Sequence, residues 1–269
     1  MQEINYSQGR WSNDGVNVPV KLSLYEVTTA DRDKGCIPAN IGAKRRIGDR
    51  TFRLCTTTAD LTAGALLSRD VSKTDVAATA SLLNAAASVG DTEVTLTSAT
   101  LLDIFTEATV GHGAGFLRGG YFHVCLGTGL LYTYGIKDNT AMVGDLVTLK
   151  LYDPIAVAIP TASTVEIDGN LYHNLVSAAT NAEGGCAAVS MVATTAGTDT
   201  TVEYFWGQTW GPGSIFVGAN IAVGQGVAVD DGTAGRCFPH DAGAEHCVGY
   251  CMKIAADNDS ALVFIQLDP

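Results

Sequence analysis

Residues 120–151, GYFHVCLGTGLLYTYGIKDNTAMVGDLVTLKL, alternate short apolar runs with turn-forming residues. The runs are 120–126, 131–136 and 146–151, and they are separated by Gly127-Thr128-Gly129 and by Lys137-Asp138-Asn139. Short strands at this spacing, with turn signals between them, are typical of antiparallel sandwiches and barrels rather than of alternating strands and helices. This stretch therefore predicts an all-β fold.

The same pattern continues on both sides of this stretch. Further strands are predicted as two runs in 51–72 and as single runs at 94–97, 163–167, 202–206, 214–217, 226–229, 248–254 and 261–267. The helix candidates are short: residues 100–108, with Thr100 as an N-cap, and a helical turn at 82–87. The predicted fold class is all-β, with short antiparallel strands in sandwich-like or barrel-like units and at most one or two short helices.

An internal similarity indicates how the chain is divided into domains. Asp60-Leu61-Thr62-Ala63-Gly64 resembles Asn220-Ile221-Ala222-Val223-Gly224, and each is followed by a small apolar strand. Such a repeat suggests equivalent units packed side by side. The predicted domains are an extended N-terminal arm at 1–40, a discontinuous β body from 41–75 with 201–269, and an inserted β domain at 76–200.

The charge of the chain limits its partners. The 269 residues carry a net charge of −12, and a nucleic-acid binder needs clustered Lys and Arg, so nucleic acid is not an expected partner. A membrane is not expected either, because no stretch approaches the ~18 consecutive apolar residues of a membrane span. The opening residues 1–5 are polar and predict no secretory signal. The seven cysteines are accordingly expected to be reduced, buried as small hydrophobes and free of a disulfide network.

One basic island interrupts the acidic chain. Five cations lie within ten residues of one another: Lys44, Arg45, Arg46, Arg50 and Arg53. Two interpretations stay open. The island is either a solvated turn at the edge of a sheet or a docking patch for an acidic partner surface.

No motif in the sequence predicts catalysis, and no cofactor or catalytic residue is expected. The nucleophile elbow, zinc-protease helix, Walker loop and dinucleotide fingerprint are all missing from the sequence. One cluster has metal-ligand residue types: Cys237, His240, His246, Cys247 and Cys251. The adjacent His246 and Cys247 would point to opposite faces of a strand, so a metal site is not predicted there. A pair of carboxylates working as a glycosidase remains a formal alternative.

The densest aromatic segment is Tyr204-Phe205-Trp206-Gly207-Gln208-Thr209-Trp210-Gly211-Pro212-Gly213. The favoured interpretation is core packing next to a Pro-Gly turn, with Trp206 and Trp210 mainly structural. The alternative is a carbohydrate-stacking face, as in a receptor-binding module.

The last third of the chain resembles tailed-phage structural proteins of the capsid decoration, or cement, type. The resemblance is carried by the aromatic-glycine segment above, followed by the strands at 224–229, 248–251 and 261–265. The middle is similar too, at 86–97, at 127–136 and at Leu151-Tyr152-Asp153-Pro154-Ile155. About two-thirds of the chain is covered, and residues 1–40 match nothing in that family.

The resemblance implies a non-enzymatic virion protein, made in the host bacterial cytoplasm, that binds the major capsid protein on the outside of the shell and stabilises it. It also implies a homo-oligomer, expected to be a trimer. The basic island and Trp11 in the N-terminal arm are then the candidate shell contacts: Lys44, Arg45, Arg46, Arg50, Arg53 and Trp11. Two alternatives remain, a tail or fibre protein that binds a carbohydrate receptor and a polysaccharide-degrading enzyme of the particle.

Overall fold

The computed structural model describes residues 24–25, 28–31, 41–71, 76–80, 82–97, 106–107, 110–111, 114–178, 185–195, 201–229, 232–240 and 247–269. These residues form nineteen strands and no helix, which confirms the all-β prediction. The strands are β1 Thr28–Asp31, β2 Lys44–Ile47, β3 Arg50–Thr57, β4 Leu66–Arg69, β5 Val76–Ala80, β6 Glu93–Thr97, β7 Thr106–Glu107, β8 Val110–Gly111, β9 Tyr121–Leu126, β10 Thr133–Asn139, β11 Leu146–Leu151, β12 Thr164–Asp168, β13 Leu175–Ser177, β14 Cys186–Ser190, β15 Thr201–Phe216, β16 Gly226–Val229, β17 Cys237–Pro239, β18 Cys247–Lys253 and β19 Ser260–Gln266.

The two helix predictions are not met where the structure describes them. The helical turn at 82–87 is wrong, because Leu83 and Ala87 instead form isolated bridges to Leu96 and Ile159. In the 100–108 candidate, Thr106 and Glu107 are strand, and residues 100–105 lie outside the described residues. Helix-like composition over so few residues is a weak preference, and pairing with a distant strand overrides it.

The larger of the two main sheets has eleven strands arranged around β15. Its path is β13-β4-β14-β15-β19-β18-β16-β17, with β1 and β3 also paired to β15 and with β2 paired to β3. The Pro-Gly turn expected within residues 204–213 is wrong, since β15 runs through it as a single strand of 16 residues. Pro212 is tolerated there because the pairing with β3 has already ended at Trp210, and Pro212 lies opposite Phe264 of β19.

This sheet contains the same arrangement of five strands twice. Unit 1 has the order β3-β15-β14-β4-β13, and unit 2 has the order β15-β19-β18-β16-β17. The first half of β15 completes unit 1, and its second half begins unit 2. The middle strands of these two sheet orders, β14 and β18, even carry a register shift at the same place, after Cys186 and after Cys247.

The repeated turn before β4 and before β16 explains the internal sequence similarity. The first residue of the turn and a distant partner residue exchange two backbone hydrogen bonds. A glycine three positions after the first residue donates its N–H to the carbonyl of the residue four positions before that partner. The same pattern also occurs in the smaller sheet, so the fold contains it three times within the described residues. Its first residues and glycines are Leu61 and Gly64, Ile221 and Gly224, and Ala87 and Gly90. All three glycines have φ between +79° and +93°, a conformation that costs other residues energy.

The smaller main sheet is inserted into unit 1. Its order is β5-β12-β9-β10-β11-β6, and its strands span residues 76–168. The insertion falls between β4 and β13, where unit 2 has only residues 230–236 between β16 and β17. The segment 76–200 is therefore divided, because β13 and β14 hydrogen-bond within the larger sheet. A hydrophobic cluster that includes Phe122, Ile136 and Leu149 forms the core of the inserted sheet.

The inserted sheet is tied to unit 1 at the point where the chain returns. Arg69 donates from Nη1 to the Gly169 carbonyl at 2.7 Å, and its Nη2 lies 3.4 Å from Asp168 Oδ1. Phe116 packs edge-on against His173, with ring centroids 4.5 Å apart. These contacts place the inserted sheet beside β4 and β13, at the end of the larger sheet that is farthest from β17 in the strand order.

Candidate interaction surfaces

The basic island forms the hairpin of β2 and β3. Lys44 lies opposite Arg53, Arg45 opposite Phe52, and Ile47 opposite Arg50, with the turn at Gly48 and Asp49 between the strands. The structure thus brings all five predicted cations together on one hairpin. Among the described strands, β2 pairs with β3 alone, so it is an edge strand, and cations at a sheet edge also oppose unwanted strand pairing.

Most of these cations already have contacts within the chain. Arg53 Nη2 lies 2.5 Å from Asp268 Oδ2, its Nη1 donates to the Gly42 carbonyl at 3.0 Å, and its guanidinium lies 5.6 Å from the Tyr172 ring centroid. Tyr172 donates its hydroxyl to the same Asp268 carboxylate at 2.7 Å. Burial, followed by this hydrogen bond, raises the pKa of Tyr172 above its ordinary value. Arg53 is therefore a structural residue that holds the last residues of the chain against unit 1.

The remaining cations lie nearer to the surface. Lys44 Nζ donates to the Pro269 backbone oxygen, and Arg46 Nε donates to the Gly48 carbonyl at 3.3 Å. Arg45 lies 5.6 Å from the centroid of the Trp206 ring, and Arg50 lies 5.3 Å from that of Phe52. Lys44 and Arg46 are exposed. The sixth candidate contact, Trp11, lies outside the described residues.

Trp206 and Trp210 do not lie in a main core cluster. Both are half-buried, whereas the neighbouring Phe205 is fully buried. Trp206 packs on a small cluster of Leu54 and Tyr204, and Trp210 contacts Phe264 edge-on, with centroids 5.7 Å apart. The expectation of core packing is therefore met only in part. Tyr204, Phe205 and Gln208 are fully buried, but the side chains of Trp206 and Trp210 stay partly exposed.

The outward face of the inserted sheet exposes two tyrosines. Tyr121 of β9 is 53% exposed and pairs with Gly135 of β10, while Tyr152, which is 62% exposed, donates its backbone N–H to the Gly135 carbonyl at 2.9 Å. The Tyr152 ring leans over this glycine, since a Cβ at Gly135 would come within 3.2 Å of it. In the next row of the same face, His123 Nδ1 lies 3.9 Å from Glu166 Oε1. The face therefore combines exposed rings with hydrogen-bonding groups.

The turn between β9 and β10 exposes a second apolar group. Leu126, Leu130, Leu131 and Tyr132 are all exposed there. Leu131 is 81% exposed and has φ +73°, a strained conformation for a leucine.

A third exposed group lies on unit 2. Tyr250 of β18 stacks on Phe264 of β19, with centroids 5.4 Å apart and planes 9° apart, and Phe264 in turn contacts Trp210 of β15. Met252 and Leu262 are exposed beside them. Sequence reasoning did not single out Tyr250 or Tyr121. For Tyr121 the signal was present, because it is out of phase with the buried Phe122 and Val124 of its strand. For Tyr250 it was not, because the buried residues Val248 and Cys251 of its strand do not follow a period of two.

The metal-ligand residue types do not converge in the described part of the chain. Cys237 and Cys251 lie in the hydrophobic cluster of unit 2, and Cys251 donates to the Lys253 carbonyl at 3.0 Å. His246 lies outside the described residues. Among the residues that the structure describes, no group of three or more His, Cys, Asp or Glu could hold a metal ion.

The six cysteines within the described residues form no disulfide with one another, and Cys36 lies outside them. Burial raises the pKa of the Cys55 thiol and that of the Cys186 thiol to about 12. Cys247 is exposed, which corrects the expectation that the cysteines are uniformly buried.

No protein-family model, curated protein or solved structure matches this chain. In the described part of the chain, no helix has the length and apolar character needed to cross a membrane.

Proposed function

We propose that this chain is a non-enzymatic structural protein of a tailed-phage particle, a decoration protein that binds the outside of the capsid shell as a homo-oligomer. The resemblance of the last two-thirds of the sequence to that family is the starting point. The structural observation that carries the proposal is the β2–β3 hairpin, which concentrates cations on an edge strand of a chain with net charge −12.

The hairpin suits docking on an acidic surface of the major capsid protein. Arg46 and Ile47 are exposed near its tip, and Lys44 is exposed at its base. Complementary charge of this kind sets orientation and increases the rate of association more than it adds affinity. Arg53 is left out of the docking surface, because its guanidinium is already engaged by Asp268 and the Gly42 carbonyl.

The test is co-sedimentation with undecorated shells at two salt concentrations. Arg46→Glu should slow association and weaken its salt dependence, whereas Lys137→Glu, an exposed cation of the inserted sheet, should leave binding unchanged. A variant lacking residues 1–23 keeps β1 and measures what the N-terminal arm adds to binding. Salt-independent binding of the wild type, or equal effects of the two charge reversals, would remove the hairpin from the mechanism.

The second candidate function is carbohydrate binding by a tail or fibre protein. It is favoured by the exposed Tyr121 and Tyr152 beside the His123–Glu166 pair, because sugars stack on aromatic rings and bond to nearby polar groups. The copy number in purified particles separates the two functions. A number comparable to that of the shell subunit supports decoration, and a small fraction of it, together with glycan binding lost in Tyr152→Ala, supports the receptor role.

A further inference from the structure

Unit 2 covers one face of unit 1. Phe216, in the second half of β15, donates its N–H to the Gly64 carbonyl at 3.1 Å. Gly235 then inserts between two strands of unit 1, donating to the Ala178 carbonyl at 2.9 Å and accepting from the Leu66 N–H at 2.8 Å. As a result Leu66, Ala178 and Val189 belong to the hydrophobic cluster of unit 2 and are fully buried.

The equivalent face of unit 2 is open. The pairing pattern identifies the equivalent positions: Val189 lies between Leu66 and Gln208, as Tyr250 lies between Gly226 and Phe264. Val189 is fully buried, whereas Tyr250 is 39% exposed.

The turn glycines show the same difference. A Cβ at Gly64 would meet Phe216 at 3.4 Å, whereas a Cβ at the equivalent Gly224 would meet nothing within 4 Å. Unit 2 therefore presents the face that unit 1 buries, and within the described part of the chain no element covers it as unit 2 covers unit 1.

The chemistry of this open face is that of an interface centre. Its outward side chains include the stacked Tyr250 and Phe264, the half-buried Trp210 and the exposed Met252 and Leu262. Charged residues are depleted at the centre of protein interfaces, while aromatic residues and Met are enriched there. Among the described residues that pair with Tyr250, Phe264 and Leu262, the one charged side chain is Lys253, which pairs with Leu262 at the margin of the group.

We infer that the open face of unit 2, centred on Tyr250 and Phe264, is the surface through which this chain binds a second copy of itself. A copy is the occupant we choose because the equivalent face of unit 1 is covered by a part of this same chain. An uncharged face also allows association between two acidic molecules, which would repel one another through most other surfaces. Two or three copies of the chain can bring this face together around a two-fold or a three-fold axis. The inference concerns self-association and does not depend on the decoration role.

The experiment is sedimentation equilibrium of the full chain from submicromolar to about 100 µM, a range in which a specific oligomer dissociates measurably. The wild type should form a discrete oligomer. Tyr250→Glu should weaken association at least about 30-fold, the effect of removing a central interface residue. The matched control is Tyr152→Glu, a tyrosine that is 62% exposed on the inserted sheet, and it should leave association unchanged.

Two further measurements guard the result. Circular dichroism and thermal unfolding of each variant verify that it is folded, and Met252→Glu, at a neighbouring position with the same 39% exposure, replaces Tyr250→Glu if that variant is unstable. A wild type that stays monomeric throughout the range overturns the inference, including the case in which it binds shells or glycans as a monomer. Equal weakening by Tyr250→Glu and Tyr152→Glu overturns it as well.

Discussion

Units 1 and 2 have the same backbone pattern and different surroundings. In both, the second strand in sequence (β4 or β16) follows the same turn geometry. The middle strand of the sheet order (β14 or β18) takes the same register against it and carries a bulge at the same place. Yet β14 is buried over Ala187–Ser190 on both of its faces, whereas β18 has exposed residues at Tyr250, Met252 and Lys253. The comparison shows that strand pairing does not decide burial. Burial is decided by what lies against each face of the sheet.

The covered strand β14 has smaller side chains than the open strand β18. β14 reads Cys-Ala-Ala-Val-Ser, while β18 reads Cys-Val-Gly-Tyr-Cys-Met-Lys. Unit 1 is packed so closely that a Cβ at Gly207 would come within 2.7 Å of the Ala188 Cβ and 2.9 Å of the Cys55 sulfur. The residue equivalent to Gly207 in unit 2 is Val263, which has room for its side chain.

The largest expected difference in stability between the units comes from placing a carboxylate at the equivalent positions 189 and 250. Val189→Asp would bury an unpaired carboxylate between two packed layers and should destabilise the fold by about 3 kcal/mol or more. Tyr250→Asp keeps its charge in contact with water and should cost about 1 kcal/mol or less in the monomer. Urea unfolding at low protein concentration measures both.

Val189→Thr, which has the shape of valine with one added hydroxyl, is the matched control and should fall between the two. Similar losses for Val189→Asp and Tyr250→Asp would mean that the outer face of β14 is not covered by unit 2.

A smaller and nearly equal effect is expected in the two turns. Gly64 and Gly224 have φ of +85° and +79°, so an alanine at either is strained by about 1–2 kcal/mol. The neighbours differ, but a contact of 3.4 Å at Gly64 adds little. Gly64→Ala and Gly224→Ala should therefore lower the free energy of unfolding by similar amounts in thermal or urea unfolding.

Gly226→Ala is the control for this pair. Gly226 lies two residues from Gly224 in a strand, outside the left-handed region, and the nearest atom to an added Cβ is His240 Cβ at 3.4 Å. It should be neutral or slightly stabilising. A neutral Gly224→Ala would show that unit 2 does not need the turn geometry of unit 1.

The smallest perturbation compares two thiols at equivalent positions. Cys186, whose pKa burial raises to about 12, stays protonated at pH 8, whereas Cys247 is exposed. Because the thiolate is the nucleophile, Cys247 should react with iodoacetamide at least about 10-fold faster than Cys186. Timed alkylation followed by peptide mass spectrometry measures both rates in one sample. Cys55, whose pKa is also raised to about 12, should be as slow as Cys186. Rapid labelling of Cys186 would contradict its burial.

Much of the fold was predictable because its signals are local. The turn around Gly127 and the alternation in 121–126 place β9 and β11 within one residue of their observed bounds and β10 within three. The turn predicted at Lys137-Asp138-Asn139 is wrong, because these residues complete β10. The predictions that were wrong concern pairings that depend on distant residues. Pro212 looked like a turn, but it lies within β15 because β19, some fifty residues later, pairs with it. Residues 82–87 looked helical, but Ala87 pairs with Ile159.

The candidate surfaces were likewise predictable only where they depend on residues close together in the sequence. The sequence places five cations close together, and the hairpin keeps them together, since Gly48 and Asp49 need only fold the chain back on itself. It does not show that Arg53 is engaged by Asp268, which lies more than two hundred positions away. Nor does it distinguish Tyr250 from Val189, because both lie within apolar strand-forming runs and neither run shows which face of its strand is covered.

By itself, then, the sequence determined the strand-forming runs, the turns and the repeated glycine that starts β4 and β16, because these follow from φ/ψ preferences and a period of two along the chain. Only the tertiary structure decided that one copy of the repeated unit is covered and the other is open. That difference arises from β15, which joins the units, and from the loop at Gly235, which closes over Leu66 and has no counterpart above Gly226 among the described residues. Burial on the outer face of a sheet depends on which distant segment is packed against it, and no local pattern encodes that segment.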